Sequence, residues 1–363
     1  MSVAAMSDTV RLVKRRQHHA AAWLAALAGA LLVVLLLSIG VGAVSIAPDH
    51  AVAVLLQQAG LAPPVPFSEQ EQVVLLTIRL PRAVLAVLVG AGLAACGATL
   101  QGLFHNPLAD PALLGVSSGA ALAAAAAIVF GGAVAAHVPA ALLPHFLPLA
   151  AFGGGLLATC LVYTIASRGS ATDVATMLLA GVAMNAVTMA GIGLLIFLSS
   201  DRELRDLNYW MLGSLGGVTW AKLMPVLPLI LGALAGLLAF ARPLNALLLG
   251  EAEAQHLGFR VERVKRGIIG LTTLATGAAV ALTGVIGFVG LVVPHLVRLV
   301  IGPDNRALLP ASMMLGAILL LVADLIARIV ALPAEIPIGI VTSFIGTPVF
   351  LWLLSTRRHA GLR

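Results

Sequence analysis

Long uncharged runs constrain this chain more than any other feature. AAWLAALAGALLVVLLLSIG (21–40) and AVLAVLVGAGLAACGATLQGL (83–103) contain no charged residue. About 20 such residues cross the hydrocarbon core of a bilayer as an α-helix. Inside that core each backbone N–H and C=O needs a partner within the protein, and a helix supplies them locally. Comparable segments lie at about 21–44, 82–103, 112–131, 147–167, 173–199, 223–241, 264–283, 286–301, 308–330 and 336–355. The expected fold class is an all-α polytopic membrane protein: ten transmembrane helices in one domain over 21–356, with tails at 1–20 and 357–363.

Composition agrees, since 60% of the 363 residues are hydrophobic and only 10% are charged, which no ordinary soluble domain shows. The basic start resembles a signal peptide. However, the apolar run from Ala20 to Ala47 is far longer than a signal's apolar region and is read as a retained first span.

The net charge of +6 fits a membrane topology better than a nucleic-acid surface. With the N-terminus in the cytoplasm, fifteen of the 21 Lys and Arg fall on the cytoplasmic side, as the positive-inside rule requires. Ten spans then return the C-terminus to the cytoplasm. Arg79, Arg82 and Arg328 fall on the outer side against that bias, and charges so placed call for a function. Cys96 and Cys160 lie inside apolar runs and read as packing residues, and no metal site is expected at any ligand spacing.

Several spans are broken. Asn106-Pro107 and Asp110-Pro111 interrupt the chain after 103, and Gly284, Gly287, Gly290 and Pro294 thread the segment 284–298. Breaks at membrane depth point to a transport path. One fixed shift aligns Arg79 with Arg266, Gly90 with Gly277, Gly97 with Gly284, Pro107 with Pro294 and Gly115 with Gly302, which predicts an inverted repeat.

The energy source follows by exclusion. Carboxylates that could couple transport to protons or sodium are nearly absent from mid-span positions, and no GxxxxGK[ST] occurs. A partner must therefore dock on the cytoplasmic face. The loop RPLNALLLGEAEAQHLGFRVERVKR (242–266) offers two short helices meeting at Gly250, with an apolar knob and an acid. A facilitative channel, which needs no such loop, is the alternative. Gly115-Val-Ser117-Ser-Gly119 matches the nucleophile-elbow pattern, but it opens an apolar helix with no preceding strand, so helix packing explains it better.

RLPR, GATLQGLFHNPLADPALLGVSSGAAL, LLLGEAEAQHLG, GVIGFVGLVVPHLVRL, ADLIAR and AEIPIGIVTSFIGTPVFLWLL together resemble the FecCD-type permeases. These are membrane subunits of bacterial ATP-binding-cassette importers for vitamin B12, ferric siderophores and haem, with the type II importer fold. The resemblance implies a homodimer in the inner membrane, two ATPase subunits that use ATP and Mg²⁺, and a periplasmic binding protein. It implies no cofactor on this chain and no enzymatic activity of its own. By the same resemblance Arg79, Arg82 and Arg328 are expected to receive the binding protein's glutamates. Asn106, Leu108, Val174 and Ala175 are expected at the cytoplasmic gates, although relatives carry small hydroxyls where Val174 and Ala175 stand. Leu248, Gly250 and Glu251, within coupling helices at 245–258, are expected to contact the ATPase. Met177, Gly181, Met184 and Thr188 share one helical face and are expected to line the path. The segments 204–220 and 247–266 look most like haem permeases, so haem is the expected cargo, with siderophore and cobalamin as alternatives.

Overall fold

The computed structural model describes residues 3–42, 46–62, 64–135, 137–168 and 171–360. Apolar helices dominate it and overlap the expected segments: α1 Val3–Gly40, α2 Leu80–Leu103, α3 Val116–Ala135, α4 Phe146–Ala166, α5 Val174–Leu198, α6 Leu227–Ala239, α7 Val261–Thr283, α8 Val289–Ile301, α9 Asn305–Ile329 and α10 Ile338–Ala360. Among the described residues, six helices have the length and apolarity to cross a membrane. A seventh arises if α6 and Ala241–Leu247, bent by 46°, count as one. The apolar parts of α3, α8 and α10 are shorter. The chain is thus a polytopic α-helical membrane protein. Helical structure begins at Val3, so α1 starts well before the expected first span.

The central helix is α2, with 89% of its apolar stretch buried. It enters through Glu69–Val73, capped by Ser68 and Glu71, and through a π-helical turn at Val74–Arg79. Side-chain support reaches that turn from Trp220, whose Nε1 donates to the Leu76 carbonyl at 2.8 Å. Farther along, α2 meets its neighbours backbone to backbone. A Cβ on Gly97 would lie 1.7 Å from the Gly290 carbonyl oxygen of α8, and one on Gly90 would lie 2.3 Å from that of Gly316 on α9. Without a hydrophobic drive between helices in lipid, such small-residue contacts hold a bundle together. The same logic absorbs the Gly115–Gly119 motif, because a Cβ on Gly119 would lie 2.5 Å from the Gly154 carbonyl oxygen of α4.

The Gly284–Phe288 stretch is unwound, as its glycines suggested. Chain segment 212–214 fills the gap: Ser214 N donates to Thr283 O at 2.7 Å, while Ile338 and Gly339 N donate to Gly213 and Leu212 O, each at 3.0 Å. Segment 212–214 thus pairs with the Thr283 carbonyl at the break and ties it to the start of α10. The only departure from helix among the described residues that pairs as a sheet is a two-residue ribbon, Ser167–Arg168 against Ala171–Thr172, just before α5. Cys96 is buried as expected, but Cys160 is exposed on α4 and does not pack inside.

Candidate functional site

Two polar clusters sit at opposite ends of α9. Its 25 residues span about 37 Å at 1.5 Å per residue.

At the first, the arginine end, Arg79 and Arg82 from the start of α2 meet Arg328 from the last turn of α9. Arg82 directs Nε to Asp324 Oδ1 at 2.8 Å and Nη1 to Glu335 Oε1 at 2.9 Å. Arg328 Nε lies 3.1 Å from Asp324 Oδ2, and its Nη2 donates to Ser38 O at 3.1 Å and Ser38 Oγ at 3.0 Å. Arg79 Nη1 donates to the Ile39 and Gly40 carbonyls at 2.7 and 2.6 Å. Those carbonyls end α1, where helix geometry leaves acceptors unpaired and a partial negative charge gathers.

The three arginines predicted to act together are therefore together, but not as an open socket. Their exposures are 5%, 8% and 8%, and Asp324 is fully buried. Desolvated guanidiniums need carboxylates and carbonyls at hydrogen-bond distance, and this chain supplies its own. Three guanidiniums against two carboxylates leave the cluster one positive charge in excess. Glu335, its most accessible member, has a side chain 39% exposed. Glu335 also lines a cavity of about 570 Å³ with Asp206, Tyr209, Trp210 and Ser214.

At the other, the loop end, Ala241–Leu247 and Glu251–His256 form the two short helices expected around Gly250. Gly250 adopts φ +120°, which a side chain would strain. Leu248, Leu249 and Leu257 are exposed around it. The loop's underside is bonded to three other segments. Asn245 Nδ2 donates to Asp304 Oδ1 at 2.6 Å, and Asn245 Oδ1 accepts from Asn305 N at 2.8 Å, fixing the first short helix to the start of α9. His105 Nε2 lies 2.7 Å from the Leu247 carbonyl. That oxygen can only accept, so this ring nitrogen carries the hydrogen. Glu251 pairs with Lys265 at 2.8 Å, and Lys265 Nζ also donates to the Thr172 carbonyl at 3.3 Å.

These bonds bring the expected gate residues into contact with the loop's supports. Asn106 follows His105 and accepts from Leu108 N at 3.0 Å through Oδ1, and Leu108 is exposed at the tip of this turn. Asp173 caps α5, accepting from Ala175 N at 3.3 Å and Thr176 N at 3.1 Å. A hydroxyl stands next door, at Thr176, and its Oγ1 donates to Asp173. One apolar cluster joins Ala109 and Leu114 beyond the turn with Met177, Leu244, Leu247 and Ala254, and Val174 packs against it.

The face of α5 expected to line the path packs against neighbouring segments of this chain. Met177, Gly181 and Thr188 are buried and Met184 is half-buried. All four face this chain's own interior. A Cβ on Gly181 would lie 1.8 Å from the Leu113 carbonyl oxygen, and Met184 sits against Gly115. Thr188 Oγ1 returns to the Met184 carbonyl at 2.9 Å. Helical spacing identified a shared face, and close packing uses it. The opposite face, with Leu179, Val182, Val187 and Phe197, is exposed.

Sequence reasoning passed over His105, Asn245 and Lys265 as site residues, and it missed the helices Pro48–Gln58 and Asp201–Met211. The S-x-x-E pattern of Ser200 and Glu203, a capping box in the structure, marks the second helix's start in the sequence. The spacing of Asp324 and Arg328, one helical turn apart, likewise signals their pairing.

Residues 10–356 match the FecCD transport family. The hemin transport system permease protein HmuU of Yersinia pestis is 47% identical over 285 residues, covering 78% of this chain and 84% of that protein. The cobalamin import system permease protein BtuC of Halobacterium salinarum is 44% identical over 337 residues, covering 90% and 88%. Among solved structures, a metal-chelate type ABC transporter in an inward-facing conformation superposes with a TM-score of 0.79 and 31% identity, over 92% of this chain and 98% of that one.

Proposed function

Because this chain belongs to the FecCD transport family, we propose that it moves haem across a bacterial inner membrane as the permease of an ATP-driven importer. Two copies form the pathway, each crossing the membrane ten times with its halves related as an inverted repeat. Both termini and the loop end lie in the cytoplasm. A periplasmic binding protein delivers haem at the arginine end, and two ATPase subunits, which hold ATP and Mg²⁺, dock at the loop end. The chain itself performs no hydrolysis.

One observation carries the reading. The loop around Gly250 exposes three leucines outside the apolar spans, while its underside is bonded to the segments before Asn106 and Val174. Exposed apolar groups on a soluble face fit a protein partner, and Leu248, Gly250 and Glu251 mark its seat. Movement imposed there reaches Asn106 and Leu108 through His105 and reaches Val174 and Ala175 through Lys265. Those four residues would form the gates. At the arginine end the positive excess suits a partner's carboxylates, which guanidinium forks recognise well.

Haem is supported by the 47% identity to the hemin permease and by the local likeness of 204–220 and 247–266 to haem permeases. The longer match to a permease named for cobalamin favours cobalamin as the second reading. Proteoliposomes containing this chain, its ATPase and its binding protein should accumulate haem and neither cobalamin nor a ferric siderophore. Accumulation of another cargo would keep the importer and replace haem.

A further inference from the structure

Lys265 belongs to none of the expected sites, yet it joins three stretches of chain: its own helix, the second short helix and the ribbon before α5. It lies in the first turns of α7 and is 4% exposed. Its Nζ donates to Glu251 Oε2 at 3.0 Å and approaches Glu251 Oε1 at 2.8 Å and Glu262 Oε1 at 3.3 Å. A further bond, at 3.3 Å, goes to the Thr172 carbonyl, and the Thr172 hydroxyl donates to Glu262 Oε2 at 2.9 Å. An ammonium buried this far needs such acceptors around it, so the three donors are committed to these directions.

We propose that Lys265 is the positioning residue that transmits movement of the partner-docking loop to the start of α5, with Glu251 as its input and Thr172 as its output. This rests on the reading of 245–258 as the ATPase-docking segment. Glu251 is the first residue of the second short helix, immediately after the Gly250 turn. Thr172 immediately precedes Asp173, whose carboxylate holds the first N–H groups of α5. A displacement of Glu251 therefore crosses one ammonium and one peptide unit to reach the cap beside Val174 and Ala175. The loop's other short helix is held differently. Asn245 bonds Asp304 and Asn305 at the start of α9 through neutral amide groups, and the Leu247 carbonyl meets His105 beside Asn106. The first limb thus reaches the Asn106 turn through neutral groups, and the second reaches α5 through the Lys265 ammonium.

The test uses the full complex of this chain, its ATPase subunits and its binding protein in proteoliposomes, with haem as probe. Lys265→Met should bind the ATPase and support ATP hydrolysis as the native chain does, while haem taken up per ATP hydrolysed falls about ten-fold. Lys265→Arg, which keeps the charge and the donors, should restore that ratio to within about threefold of native. Glu262→Gln, a milder change at a partly exposed acid, should lower it by about threefold. An unchanged ratio in Lys265→Met, an equal loss in Lys265→Arg, or lost ATPase binding in Lys265→Met would each overturn the proposal. Failure of the underlying reading is distinguishable, because the native complex would then show no ATP-dependent haem uptake at all.

Discussion

The two ends of α9 are built from the same kinds of group in opposite proportion. At the arginine end three guanidiniums surround two carboxylates; in the Lys265 cluster at the loop end one ammonium serves two. Their burial also differs. Asp324 is fully enclosed, whereas the Glu251 and Glu262 side chains remain 47% and 32% exposed. The first end cannot release Asp324 without stranding desolvated guanidiniums, so its core is rigid, and of its two carboxylates only Glu335, 39% exposed, can exchange with water. The second can exchange its acids with water, so its contacts can be made and broken during a cycle.

Removing one charged partner from each end should expose this difference most strongly. Asp324→Asn leaves Arg82 and Arg328 short of a buried counter-charge and should cost about 3–5 kcal/mol. The check is thermal unfolding of the purified chain in detergent. Lys265→Met leaves two acids that water can reach, and the same measurement should record about 1 kcal/mol or less. Equal losses would abolish the distinction between a rigid end and an exchangeable one.

Glu335→Gln sharpens it further. Asp324 still holds Nε and Nη2 of Arg82, so folding should change little. The freed Nη1 should bind the partner's carboxylate more tightly, by about fivefold in Kd at low salt. Because the added attraction is electrostatic, it should shrink as ionic strength rises. Titration of the binding protein at two salt concentrations would show this, and unchanged affinity at both would place docking elsewhere.

The smallest expected effect concerns the helix Pro48–Gln58 near the arginine end. His50 hydrogen-bonds Glu71 at 2.9 Å, and this bond holds its pKa above the ordinary 6.5. A raised folded-state pKa adds stability that is fully present below 6.5 and disappears as pH rises through the folded value. Hydrogen exchange in 48–58 should therefore accelerate beyond its intrinsic pH dependence as pH is raised through that interval. His50→Gln should remove the excess.

Much of this architecture is legible in the sequence. Apolar runs bounded by Pro, Gly and charge marked the apolar helices, because a continuous apolar run in lipid satisfies its own backbone as a helix. Arg79, Arg82 and Arg328 stood out because charge is rare in so apolar a chain. Their partners did not, since Arg82 and Asp324 lie 242 residues apart and only packing of α2 on α9 joins them. Met177, Gly181, Met184 and Thr188 share a face by spacing alone, but spacing does not say whether that face meets a path or a neighbouring helix. Lys265 read as one more cytoplasmic charge. Its role arises only when the loop folds back and the ribbon before α5 arrives beside it.

The central claim is that a partner's ATP hydrolysis, received at the loop end, drives cargo through this chain. The most direct measurement is haem accumulation in sealed proteoliposomes, with the ATPase subunits present or omitted and ATP supplied or withheld. Uptake beyond equilibrium only when both ATPase and ATP are present is the predicted result. Equilibration at the same rate without either would contradict it and would make the chain a facilitative channel.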